Sequence, residues 1–156
     1  YARIFTRHST HTEDDMKEVA VSLMAWLCTH VGLPGTVDVP EYKIVSHKEL
    51  KDIYCGDGRR CPGSLKAVYV HREKMMYLPH GFNFKEKEDQ STLVHEFVHH
   101  LQSVFNSPVP PCFNEAEAYY IEDHWRKENG LATKTDKAGF RLWLGNCFMD
   151  IIGGVK

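Results

Sequence analysis

The 156-residue sequence has no apolar run approaching the roughly 18 residues that a membrane-spanning helix needs, so no transmembrane segment is expected. It also lacks an excess of either charge: 19 Lys and Arg stand against 21 Asp and Glu, for a net charge of −2. With a sequence pI near 6.6 and no basic stripe to grip phosphates, nucleic acid is excluded as an expected partner. Residues Tyr1 to His11 are mixed polar and basic and lack the apolar core of a signal peptide. A chain beginning at Tyr1 is expected of a trimmed or mature form, in which a removed leader leaves no trace. Internal repeats, low-complexity tracts and linkers are missing too, which points to a single domain over residues 1–156.

What is present fits a soluble globular protein with a sizeable core: 42% hydrophobic and 26% charged residues. The five cysteines are an odd number, so at least one is unpaired or paired between molecules. Cys55 and Cys61 bracket a Gly-Asp-Gly-Arg-Arg turn that brings them within bridging distance, and they form the expected disulfide. Cys28 and Cys147 fall in helical apolar patterns as buried thiols. An oxidising compartment, periplasmic or secreted, is favoured over the cytoplasm by this usage.

The periodicities predict helices, then a small sheet, then helices, an α+β arrangement. A first helix runs from about Glu13 to Val31, with Thr12 as N-cap and Val19, Leu23, Trp26, Leu27 and Val31 on one face, stopped by Gly32 and Pro34. Val37 to Val45 alternates as a strand, which Pro40 confines to an edge. A short helix over Lys48 to Tyr54 precedes a loop from Cys55 to Gly63. Leu65–Val70 and Met75–Leu78 form a hairpin about the polar turn His71–Lys74. Helices follow over Gln90–Phe105, Phe113–Lys127 and Asp136–Ile152, with Trp125, Phe140, Trp143 and Leu144 in the core.

The helix from Gln90 contains Leu93-Val94-His95-Glu96-Phe97-Val98-His99-His100, a His-Glu-x-x-His pattern. Four residues along a helix turn the side chain by only about 40° and advance it by about 6 Å, so His95 and His99 can meet one metal ion. Glu96 lies about 60° further round, too oblique to ligate but placed to take a proton from a water held there. The bare pattern arises by chance about once in twenty chains of this composition, so a third ligand is needed to make a site of it. The longer version of the motif requires a His at position 105, which is Phe105, and a Gly at 102, which is Gln102; it is excluded.

A carboxylate on the next helix is the other source. After the prolines the chain reads Cys112-Phe113-Asn114-Glu115-Ala116-Glu117-Ala118-Tyr119. Glu115 and Glu117 compete, being about 200° apart, so only one faces the site. Together the two segments resemble the zincin metallopeptidases of the gluzincin type, His-Glu-x-x-His followed by Asn-Glu-x-x-Ala, and small bacterial proteins with this minimal core. The resemblance spans about 60 residues, from Leu65 through the Glu115 helix. It implies a zincin-like minimal domain in which a hairpin packs on the His-Glu-x-x-His helix, beside a glutamate-ligand helix and a C-terminal helix. It implies one zinc ion held by His95, His99 and Glu115, with Glu96 as general base, in a hydrolase of peptide or protein amide bonds. By the same resemblance the edge strand, through Val68, Tyr69 and Val70, pairs with extended substrate.

One position departs from the family. Where gluzincins often carry an Asp that orients a zinc histidine, this chain has Tyr119; either another group, such as Glu122 nearly on the same face, orients His95, or the groups around the ligands differ. Tyr119 is then either an oxyanion donor or packing between helices. His100 points away from the pair as a surface or core-edge residue, and His71, His80 and His124 are isolated. Cys112, three residues before Glu115, is expected to be buried or disulfide-bonded rather than bound to metal. Two other functions remain open: a non-catalytic zinc-binding module, against which Glu96 argues, and an amidase acting on cell-wall peptide.

Overall fold

In the computed structural model, residues 10–56, 61, 63–107, 111–136 and 140 are described, with side chains from residue 13 onward. They form four helices and one three-stranded sheet, a small α+β protein. In chain order these are α1 (Thr10–His30), β1 (Glu41–Val45), α2 (His47–Cys55), β2 (Val68–Val70), β3 (Met75–Pro79), α3 (Lys87–Val104) and α4 (Pro111–Glu128). The helix expected over Asp136–Ile152 lies outside the described residues apart from Asp136, in a turn, and Phe140; Trp143, Leu144 and Cys147 lie outside them altogether.

Local chemistry sets most of the boundaries. α1 starts at Thr10, so Thr12 sits in its first turn rather than capping it. It ends where Gly32 takes φ +76°, with Gly32 N–H donating to Thr29 C=O and Leu33 N–H to Cys28 C=O. The same pair of closing bonds ends α4 at Gly130 (φ +73°) and ends α3 at Asn106 (φ +49°). α2 opens with a reciprocal box: Glu49 N–H donates to Ser46 Oγ (3.1 Å) and Ser46 N–H to Glu49 Oε2 (2.8 Å). α4 begins at Pro111, whose missing N–H costs nothing in a first turn.

The sheet order is β1-β3-β2, with β1 parallel to β3 and β2 antiparallel to it. The expected hairpin is therefore present, with Tyr69 opposite Met76. The first strand is shorter than expected, Glu41–Val45 instead of Val37–Val45, because Pro40 has no N–H to continue the ladder. β2 is likewise shorter, Val68–Val70, and is an edge strand.

α3 is the centre of the molecule. It packs on α1, α4 and β2, and Ser91 through Gln102 are buried without a break. Leu93, Val94, Phe97 and Val98 meet Leu23, Met24 and Leu27 of α1 and Met76 and Leu78 of the sheet in one core. The α1 face is thus Ala20, Leu23, Met24, Leu27 and Cys28, whereas Val31, expected on it, is 40% exposed just past the helix end. α3 and α4 are antiparallel: Gln102 reaches Asn114, His95 reaches Glu122 and Glu88 reaches Arg126. Because its neighbours cover most of α3, the polar side chains between Ser91 and Gln102 are buried as well and need partners within the protein.

Candidate metal centre

His95 and His99 project from adjacent turns of α3 toward the first turns of α4, where Ala118 lies fully buried at the helix contact. His95 Nε2 and His99 Nε2 are 3.2 Å apart. The Glu115 carboxylate closes the triangle, with Oε2 at 3.3 Å from His95 Nε2 and Oε1 at 2.9 Å from His99 Nε2. These three are the group of ligand-type side chains, among the described residues, that could hold a metal ion, with their atoms within 4.8 Å of one another. Glu117 is exposed on the far face of α4, so Glu115 is the one turned inward.

The other ring nitrogens show which way the lone pairs point. His95 Nδ1 lies 3.2 Å from Glu122 Oε2, an atom that only accepts, so Nδ1 carries the hydrogen. His99 Nδ1 lies 2.8 Å from Gln102 Oε1. The Gln102 amide is fixed in that sense because its Nε2 donates to the Asn114 C=O at 2.9 Å. In the neutral rings both Nε2 lone pairs therefore face the Glu115 carboxylate: three acceptors converge, and positive charge is required at their centre.

Proton affinities follow from that demand. Burial alone would lower the His95 pKa, but the hydrogen bonds of Glu115 and Glu122 and the charges of Glu96 and Glu122 hold it up at about 10. His99 is raised for similar reasons, against its own burial. Glu115 is pulled well below the usual carboxylate range by the two histidines although burial opposes this. Glu96, on the same wall, is raised because burial disfavours its charged form.

Glu122 is fully buried and serves three groups. Besides His95 it accepts from Ser91 Oγ, and its Oε1 meets Lys134 Nζ at 2.5 Å. Lys134 is delivered by the loop after α4. Asp123 pins that loop by accepting from Lys134 N–H (2.7 Å) and Thr135 N–H (2.8 Å). Burial pushes the Glu122 carboxyl up, but His95 and Lys134 outweigh it and the net shift is downward.

The centre opens into a cleft of about 1040 Å³. Val68, Tyr69 and Val70 of the edge strand form one wall, with the Val68 and Tyr69 side chains buried. Tyr119 forms part of another, its ring 4.4 Å from that of His95 and in edge contact with Phe140. Burial first, then nearby carboxylates, raise the Tyr119 pKa, so its hydroxyl keeps its proton at neutral pH. Phe140, expected in the core, is therefore a cleft residue.

Cys55, the last residue of α2, is joined to Cys61 across a Cα–Cα distance of 5.4 Å. Cys112 is disulfide-bonded, and Cys28 is a buried free thiol. His100 does point away from the pair, but it is buried, not at the surface, between Tyr69 Oη (2.9 Å) and the Asp38 C=O (3.1 Å). His80 and His124 are not among the cleft walls. His71, however, is not isolated: its ring is 5.8 Å from that of His99 and it lines the cleft. Gln102 and Lys134 also escaped the sequence. Gln102 stands three residues after His99, a helical-neighbour signal, whereas nothing local marks Lys134.

The chain is a small α+β protein in which two buried histidines and a partly exposed glutamate gather beside a cleft. Residues 12–148 match the family described as Domain of unknown function (DUF6647), and the chain belongs to that family. No curated protein and no solved structure gives a significant match.

Proposed function

We propose that the chain is a zinc-dependent hydrolase of peptide bonds, with a zincin-like minimal fold of the gluzincin kind. The observation that carries this is the convergence of His95 Nε2, His99 Nε2 and the Glu115 carboxylate on one point beside Glu96. Ligand atoms of a tetrahedral zinc site with bonds near 2.1 Å lie about 3.4 Å apart. The two Nε2 atoms are 3.2 Å apart, and they lie 3.3 and 2.9 Å from Oε2 and Oε1 of Glu115 respectively, so all three side chains are within reach of one ion. Three protein ligands leave the fourth position open, as catalytic sites do and closed structural sites do not.

When bound, a zinc ion would supply Lewis acidity toward a substrate carbonyl and toward water. The chain's own residues supply the rest. Glu96 takes the proton of the attacking water on a carboxylate oxygen and passes it to the leaving amine nitrogen as the C–N bond breaks. Its raised pKa brings it closer to the neutral range in which a group both accepts and returns a proton. Glu122 and Gln102 hold the His95 and His99 rings in the tautomer that presents Nε2. Tyr119 offers an O–H donor on the cleft wall to the oxygen on which negative charge develops. The edge of β2 offers backbone groups to an extended chain without demanding a sequence. The disulfides fit an oxidising compartment, periplasmic or secreted.

Wild type and Glu96→Gln, assayed for zinc content and against a broad peptide library, test the proposal. Both should carry one zinc per chain, and the variant should cleave at least about 10²-fold more slowly. Stoichiometric zinc with no cleavage by wild type would instead favour a non-catalytic zinc module. Cleavage confined to cell-wall peptides would move the substrate, not the chemistry.

A further inference from the structure

We propose that a second pocket, beside His99, is a subsite for a carboxylate of the substrate, so that acidic peptides are the preferred class; this rests on the cleft being a peptide site. The pocket encloses about 380 Å³ and shares His71 and Asn114 with the cleft. Arg72 and Lys74 supply its charge from the hairpin turn, and Gln102, Ser103, Asn106 and Ser107 supply polar walls from the end of α3. Among the described residues, no wall residue is apolar and none is a carboxylate.

Glu73, the acid between the two cations, is engaged elsewhere, accepting from Tyr77 Oη at 2.5 Å. The larger cleft continues the pattern. Among the described residues, its cations besides the histidines are Lys66 and Lys134, and its carboxylates are Glu96 and Glu115, both at the proposed metal centre. Cations lining a concave, low-dielectric surface focus their field on it and draw anions there.

Position matters as much as charge. β2 ends at Val70 and runs directly into His71, whose ring is 5.8 Å from that of His99. A strand lying along β2 advances about 3.3 Å per residue. A side chain or terminus one or two residues from the scissile bond therefore arrives at Arg72 and Lys74. Either an Asp or Glu side chain or a free C-terminal carboxylate satisfies that chemistry.

The test retains peptides on immobilised, zinc-loaded Glu96→Gln protein. Three hexapeptide pools are compared: amidated without acids, amidated with Asp and Glu, and free-carboxylate without acidic side chains. At least one acidic pool should be retained about fivefold better than the acid-free pool. Raising salt from about 0.05 M to about 0.5 M should erode that ratio. The pool that gains identifies the source of the carboxylate. Arg72→Gln with Lys74→Asn should bring the ratio to about one; Asn is chosen because Lys74 has φ +52°. Both positions are exposed, and melting of the double variant checks its fold.

A ratio near one in the parent protein, or one unmoved by salt and by the double substitution, overturns the subsite. Zinc content and wild-type cleavage are scored separately. Cleavage without acidic preference sinks the subsite alone, whereas Arg72- and Lys74-dependent retention without cleavage upholds the subsite and counts against the hydrolase.

Discussion

In the proposed zinc site, Glu122 sets how well His95 would serve as a ligand. It is fully buried, holds the His95 Nδ1 hydrogen and is itself neutralised by Lys134. Glu122→Gln keeps the size and an acceptor oxygen but removes the charge that strengthens the imidazole as a donor. Zinc affinity, read by chelator competition, should fall by about 10- to 100-fold. An unchanged affinity would mean that the contact is packing only. The equivalent change at Glu117, on the exposed face of α4, should leave zinc affinity alone. At this scale the sequence was most informative: helical geometry alone aligned His95, Glu96 and His99. Glu115 needed the family resemblance, because two acids stood two residues apart and local spacing could not choose between them. Gln102 and Lys134 were not foreseen. Their partners, Asn114 and Glu122, lie on another helix, and side-chain reach between elements is not encoded in any local pattern.

Elements end where the chain places residues that tolerate left-handed backbone. Gly130 (φ +73°) has open space around a built Cβ, so Gly130→Ala meets no clash and only conformational strain. Thermal or urea unfolding should show a loss of about 1 kcal/mol. Ser46→Ala, which removes one half of the α2 capping box, should cost about 1 kcal/mol. Neither change should alter zinc content, since neither residue borders the centre. Glycine stops and apolar periodicity made α1, α3 and α4 legible to within a few residues. β3 was legible to within one residue, but the lengths of β1 and β2 were not. Val37–Pro40 has the alternation of a strand, yet Pro40 offers no donor and Asp38 C=O is taken by His100. His100 was open between the surface and the core edge, because its partners, Tyr69 and the Asp38 C=O, lie outside the helix's own pattern.

At the scale of the molecule, α3 and α4 are bound by polar ties along their whole contact. Arg126, itself buried, donates to Ser91 Oγ at 2.9 Å and pairs with Glu88 at 2.7 Å. Glu88 and Glu122 both have pKa values lowered in the folded protein, Glu88 chiefly by its Arg126 hydrogen bond, Glu122 by His95 and Lys134 against burial. A depressed carboxylate stabilises the fold fully above its unfolded pKa, about 4.3, and loses that contribution as pH falls through the folded value. Melting temperature should therefore drop below about pH 4.5, and Glu122→Gln should flatten that drop. A flat acid limb in wild type would contradict the assignment of Glu122 as ionised. Because His95 and His99 bind protons tightly, with His95 held up at about 10, a metal entering the site must displace protons from them. Zinc uptake should release protons near neutral pH and weaken as the medium is acidified.

The most direct test is calorimetric titration of zinc into the metal-stripped protein, its Glu115→Gln variant and its Glu117→Gln variant at neutral pH. One zinc should bind per chain in wild type and Glu117→Gln, with proton release, and binding by Glu115→Gln should be weaker by about 10²-fold or more. No binding in wild type, or equal binding in all three, would contradict the metal centre on which the account stands.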